Sequence, residues 1–187
     1  MLLVGVVSVI TVATPFAQSD LHGIARVSRK PAADVLVWLD APGTAAAAKA
    51  APVILDQRNL SFSPRVLAVR AGTTVEFPNN DRVFHNVFSF RDGKRFDLGL
   101  YPVGSSRRVT FDTPGLSRIY CNIHPNMAAY VMAVDSQYFA VSDRSGAFRI
   151  PAVPTGAYRY YAWRPGAGQV TGIWSSATDG PLTIEWP

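Results

Sequence analysis

Residues 65–90 read RVLAVRAGTTVEFPNNDRVFHNVFSF, and this stretch decides the fold class. Three short runs of apolar and β-branched residues, 65–70, 73–77 and 83–90, are separated by Ala71-Gly72 and by Pro78-Asn79-Asn80-Asp81. Gly supplies positive φ in such turns, Pro presets φ, and Asn and Asp bond back to their own backbone. The same rhythm continues outward, with strand candidates at 107–111, 117–120 and 128–134 and turn chemistry at Asp92-Gly93 and Pro114-Gly115. Upstream, 35–39 (VLVWL) reads as a buried strand, and Pro42, Gly43 and the Ala-rich run to Ala51 read as a loop. Downstream, strands are expected at 139–142, 147–150, 157–163 and 182–186, with turns at 143–146 and 154–156. Helical periodicity is hard to find anywhere, so the expected class is all-β, with the strand spacing of a sandwich.

The composition agrees. Of 187 residues, 48% are hydrophobic and only 17% charged, and the 14 Gly and 14 Pro fall between the apolar runs. That length accommodates one large domain or two small ones. The net charge of +5 is scattered from Arg26 to Arg164 without a dense basic block, which reads as solvated surface and excludes nucleic acid as an expected partner. The opening MLLVGVVSVITVATPFA is too short to span a bilayer with ease and is followed by small residues, so 1–19 is expected to be a secretory signal cut between Ala17 and Asp20. No Lys or Arg precedes the run, which leaves retention as an anchor as the alternative. With the segment removed, no stable membrane insertion is expected, and the location is periplasmic or secreted. The single Cys121 has no partner for an internal disulfide, so something must occupy or shield its thiol.

The chemistry concentrates in Cys121-Asn122-Ile123-His124-Pro125-Asn126-Met127, a thiol, an imidazole and a thioether within seven residues directly after an apolar strand. Taken singly, a Cys in a β core is an inert small hydrophobe and a Met is packing. Together they resemble three-quarters of a site of two His, one Cys and a weak axial Met, the donor set that selects copper for electron transfer. The missing imidazole is His85, in a strand where alternation turns it to the same side as Val83 and Val87, away from Phe84, Asn86 and Phe88. Zinc is the competing metal, but structural zinc sites draw on several Cys and do not recruit Met. Pro125 pushes His124 out of the helical region and stiffens the loop. His22 stands apart and has no assigned role.

On these residues the chain resembles the cupredoxins, in particular the amicyanin-type and plastocyanin-type blue copper proteins. The resemblance rests on Phe62-Ser63-Pro64, Val66, Val69, Gly72, Thr74-Val75, Asn79-Asn80-Asp81, His85-Asn86-Val87 and the short C-x2-H-x2-M loop with His-Pro inside it. It spans 51–135 and implies a Greek-key sandwich with one type 1 copper per chain. It further implies His85, Cys121 and His124 as equatorial ligands, Met127 as the axial one, and Asn86 as a tie between the two ligand-bearing segments. The remainder resembles a carboxypeptidase regulatory-like domain, a small transthyretin-like or carbohydrate-binding-like sandwich, through Asp143-x-x-Gly146-x-Phe148-x-Ile150 and Val153-Pro154-x-Gly156-x-Tyr158. Its first part is expected at 20–45 and its second at 138–187, which makes the copper unit an insertion. The whole is similar to bacterial proteins labelled methylamine utilization or plastocyanin-like proteins.

The function this implies is a non-enzymatic carrier of single electrons. It would exchange them with redox proteins such as a c-type cytochrome or a periplasmic dehydrogenase through His124 near a solvent edge. A copper-binding or delivery module that docks on an enzyme is the alternative; against it, Met1, Met127 and Met132 are the only methionines, and no Met-rich tract exists. A copper oxidase or reductase needs further histidines, and only His22 remains. A sandwich that binds carbohydrate or serves only as structure, without metal, is the last reading.

Overall fold

The structure, a computed structural model, describes residues 17–41 and 52–187. The apolar segment 1–16 and the loop 42–51 lie outside the described residues. The expected signal segment 1–19 therefore falls mostly there, while its last residues, Gln18 and Ser19, pair with Pro154 and Val153.

Among the described residues there are strands and no helix. The first three strands are β1 (Gln18–Val27), β2 (Lys30–Pro31) and β3 (Leu36–Leu39). A middle block follows: β4 (Val53–Ile54), β5 (Asp56–Arg58), β6 (Ser61–Ser63), β7 (Val66–Arg70), β8 (Thr73–Pro78), β9 (His85–Ser89), β10 (Phe96–Tyr101), β11 (Ser106–Phe111), β12 (Gly115–Tyr120) and β13 (Ala128–Val134). The last five are β14 (Phe139–Val141), β15 (Ala147–Pro154), β16 (Ala157–Arg164), β17 (Gly168–Ser175) and β18 (Leu182–Trp186).

The middle block packs a sheet of order β10-β9-β12-β13-β7 against one of order β11-β8-β4. Side chains that alternate inward along these strands, among them Val75, Phe77, Val87, Phe111, Ile119 and Val131, form the inner core. The first and last strands form a second sandwich from β15-β1-β18, with β2 on β1, and from β14-β3-β16-β17. Its core is Leu21, Val37, Leu39, Ile150, Ala162, Trp174, Ile184 and Trp186. Strand β1 pairs in parallel with β18, and β3 lies between β14 and β16, so the ends of the chain build this outer sandwich jointly. The protein is thus all-β, a Greek-key sandwich inserted into a smaller one.

One strand explains how the two units meet. In β13, Ala129, Val131 and Ala133 face the inner core, while Met132 and Val134 join Leu36, Val66 and Trp163 in a third buried cluster between the sandwiches. A strand covered on both faces must be apolar at every position, which is why AAYVMAV shows no alternation. Tyr130 meets Trp163 edge to face at 5.3 Å, and Trp38 stacks on Tyr161 at 5.2 Å on the same side of the outer sheet. Across the halves, the buried Ser142 hydroxyl accepts the Val35 amide at 3.0 Å and donates to the Ala32 carbonyl at 2.7 Å.

The Asp143–Gly146 turn shows the expected chemistry. The Asp143 carboxylate accepts the amides of Ser145 and Ala147, and Gly146, at φ +78°, stands where a Cβ would lie 2.4 Å from the Ala25 carbonyl. Five strands were not expected from the pattern: the short β4, β5 and β6, and the longer β10 and β17. In β10, Gly99 at φ +65° and a register shift between Asp97 and Leu100 interrupt the alternation. In β17, Gly172 leaves room for the Tyr160 ring above it, so the strand lacks an inward side chain where one would mark it.

Candidate metal centre

Loops 79–84, 102–105 and 121–127 gather at one end of the inner sandwich. His85 opens β9 and is fully buried, its ring turned inward with Val87 as expected. Val83, expected on the same side, lies before the strand and is 41% exposed. Cys121 directly follows β12 and is buried, and His124 is partly exposed. These three bring their donor atoms within 4.8 Å of one another. The two Nδ1 atoms are 3.1 Å apart, and Cys121 Sγ lies 3.6 Å from His124 Nδ1 and 3.9 Å from His85 Nδ1.

The triangle fits one metal ion. With bonds of about 2.0–2.1 Å to nitrogen and about 2.3 Å to sulfur, donors spread roughly 100–130° around an ion stand about 3.1–3.9 Å apart. Met127 is buried in the inner core and closes the loop through its backbone. Its amide donates to the His124 carbonyl at 2.9 Å, and its carbonyl accepts the Cys121 amide at 3.2 Å. Asn86 ties the segments as the resemblance implied: its Oδ1 accepts the Asn122 amide at 3.3 Å, and its Nδ2 donates to Asp97 at 2.8 Å. His22 lies at the surface of the outer sandwich, 3.9 Å from Asp20.

Several residues that build this end were read in the sequence only as turn, as Asn79 and Asp81 were, or not at all, as with Gln57 and Tyr101. Asp81 Oδ2 lies 2.9 Å from His85 Nε2, and the carboxylate also accepts the amides of Leu60 and Arg82, each at 2.7 Å. Burial works against its charge, but these hydrogen bonds outweigh it and hold the pKa down at about 2. A carboxylate only accepts, so the proton of the His85 ring resides on Nε2, and the Nδ1 lone pair faces Cys121 and His124. Gln57, fully buried, donates to the Pro78 carbonyl at 3.1 Å and to the Tyr101 hydroxyl at 2.5 Å. That hydroxyl donates to Phe77 O at 2.9 Å, and burial pushes its pKa up to about 12. Asn79, also fully buried, donates to the carbonyls of Val83 and Tyr101. The available signal was the Asn79-Asn80-Asp81 run itself, whose side chains bond inward as well as to their own turn.

With this geometry in view, residues 50–134 match the family model described as copper binding proteins, plastocyanin/azurin family. Residues 126–178 match that of polysaccharide lyase family 4, domain II, an fn3-like model. Among solved structures, the chain is similar to a purple cupredoxin from Nitrosopumilus maritimus (28% identity, 46% of this chain and 100% of that one, TM-score 0.40). It is also similar to a copper-containing nitrite reductase from Thermus scotoductus (29%, 49% of this chain and 24% of that one, TM-score 0.44). A third similarity is to a reduced amicyanin mutant (21%, 52% and 98%, TM-score 0.42). No curated protein matches the chain.

Proposed function

We propose that this protein is a carrier of single electrons that holds one type 1 copper ion on His85, Cys121 and His124, with Met127 as the weak fourth donor. The observation that carries the reading is the triangle of two imidazole Nδ1 atoms and one buried thiol sulfur, with edges of 3.1, 3.6 and 3.9 Å. When bound there, copper supplies a one-electron couple.

The chain's own residues do the rest. Cys121 binds as the thiolate and the two histidines as neutral rings. The Asn86–Asn122 and Cys121–Met127 hydrogen bonds hold the loop fixed, so the donors keep their places when the charge of the site changes. The inner core behind Cys121 and Met127 excludes water. His124 is partly exposed at an end that also exposes Val83, Phe84, Leu100, Val103 and Ile123, so a partner can approach closely over a largely apolar rim that carries Arg82 at one edge.

Redox proteins such as a c-type cytochrome or a periplasmic dehydrogenase are the partner class this rim suits. Several basic residues of the unit are already paired, Arg108 with Glu76, Lys94 with Asp112 and Arg118 with Asp92. The contact therefore rests more on the apolar rim than on charge. A periplasmic or secreted location is supported by the apolar segment 1–17 and the single shielded thiol. The outer sandwich, which by sequence resembles a carboxypeptidase regulatory-like domain, serves as a mount for the copper unit.

Absorption and EPR spectra of the copper-loaded full chain test the reading. An intense visible copper–thiolate band is expected, and Cys121→Ser abolishes it. A loaded protein without that band, or a serine variant that keeps it, overturns the assignment.

A further inference from the structure

We propose that Asp81 is a positioning residue that fixes the tautomer of His85 and sets the balance between the two oxidation states of the bound metal. The inference rests on the copper reading above and adds to it a residue that is not itself a ligand.

The Asp81 carboxylate is 8% exposed and lies four residues before His85, across the bend that leads into β9. One oxygen, Oδ2, takes both the His85 Nε2–H at 2.9 Å and the Leu60 amide at 2.7 Å, while Oδ1 takes the Arg82 amide. The carboxylate is therefore held from the β5–β6 hairpin as well as from its own loop. That hairpin is fixed in turn, since Asn80 donates through its amide to the Gln57 carbonyl and through its side chain to Asp56. No other described carboxylate reaches a histidine of the triangle: His124 has only His85 and Cys121 as side-chain partners. The anion thus acts on one ligand of the three.

Two consequences follow. A carboxylate on the far nitrogen fixes ring orientation and raises ligand basicity, and removing such a partner typically costs about 10–100-fold in metal affinity. A negative charge at this place also favours the more highly charged metal state over the reduced one. Asp81→Asn keeps an oxygen for one backbone amide but loses the charge, and its NH2 facing Nε2 favours the Nδ1–H tautomer, which blocks the ligating atom.

The test uses the full chain as wild type, Asp81→Asn, Asp81→Glu and Asn80→Ala, the last loosening the hairpin brace while leaving the carboxylate. Copper(II) affinity is measured by chelator competition and the reduction potential by titration. Long-range nitrogen–proton NMR of the metal-free wild type reads the His85 tautomer. Expected are an Nε2–H tautomer, copper(II) affinity lowered at least about tenfold in Asp81→Asn, and a higher potential. A tenfold selective loss for the oxidised ion equals a rise of about 59 mV in a one-electron couple. Asp81→Glu should recover part of both. An Nδ1–H tautomer in the wild type overturns the proposal even if no variant folds. So does an unchanged potential in Asp81→Asn, or an equal shift in Asn80→Ala. A wild type that never shows the thiolate band refutes the copper reading instead, so the two failures are distinguishable.

Discussion

Replacing Ser142 by alanine removes a hydroxyl that bonds strand ends on opposite sides of the insertion. Its oxygen accepts from Val35 N–H at 3.0 Å and donates to Ala32 C=O at 2.7 Å. Val35 is fully buried and Ala32 nearly so, so water does not replace the lost partner. An orphaned buried donor costs about 1–3 kcal/mol. The carbonyl adds less, because under-satisfied oxygens are better tolerated. A loss of about 2–3 kcal/mol, divided by a urea slope of about 1–3 kcal/mol/M, lowers the midpoint by about 0.7–3 M. The assay is built into the chain: all four tryptophans, Trp38, Trp163, Trp174 and Trp186, belong to the outer sandwich, so fluorescence reports that unit and, through Trp163, its contact with the inner one. Ser145→Ala, whose hydroxyl bonds only Asp143 at the surface, is the control. A Ser142→Ala midpoint within about 0.3 M of wild type would mean that this bond does not join the halves.

Trp163→Ala opens the contact with Tyr130 and the cluster between the sandwiches, with an expected loss of about 3–5 kcal/mol. Calorimetry of the variant should show the two units melting apart, and a single unchanged transition would contradict an energetic role for that interface. For Tyr101, burial raises the pKa from its ordinary 10.0 to about 12, with the Gln57 hydrogen bond opposing. The unfolded chain therefore releases this proton first, and stability should fall as pH rises from 10 to 12. Tyr101→Phe should lose that slope, and an ultraviolet titration in which every tyrosine ionises near 10 would remove its basis.

The Cys121–His124 pair was legible because its spacing alone brings thiol and imidazole together, and His85 because the other histidines are His22 and His124. The inner strands were legible where alternation or an apolar run survives, as in VLAVR and TTVEF. Asp81, Gln57 and Asn79 were not, because a polar residue in a turn looks the same whether its side chain faces water or a buried ring. Pairings escape for another reason. Nothing in LHGIARV or in LTIEW states that β1 takes β18 as a parallel neighbour, since that register arises only once the 154 residues between the two strands are folded. The expectation that Val83 points inward failed because the bend fixed by Asn79 delays the strand until His85.

The insertion has a consequence for the order of assembly during synthesis. The chain leaves the outer sandwich at Ala41 and is back beside it at Asp135, both residues lining one small recess. Until β14 and β16 emerge, β3 lacks both of its partners, and until β18 emerges, β1 has no parallel neighbour. The inner sandwich is complete before that, at Val134. Closing an unstructured loop of about 100 residues costs about 4 kcal/mol, against about 2 kcal/mol for one of about ten. A folded insert between Ala41 and Asp135, which lie beside the same recess, thus shortens the effective loop and lowers the barrier for the outer strands to meet. The inner sandwich serves, during biosynthesis, as the template on which the flanking module closes.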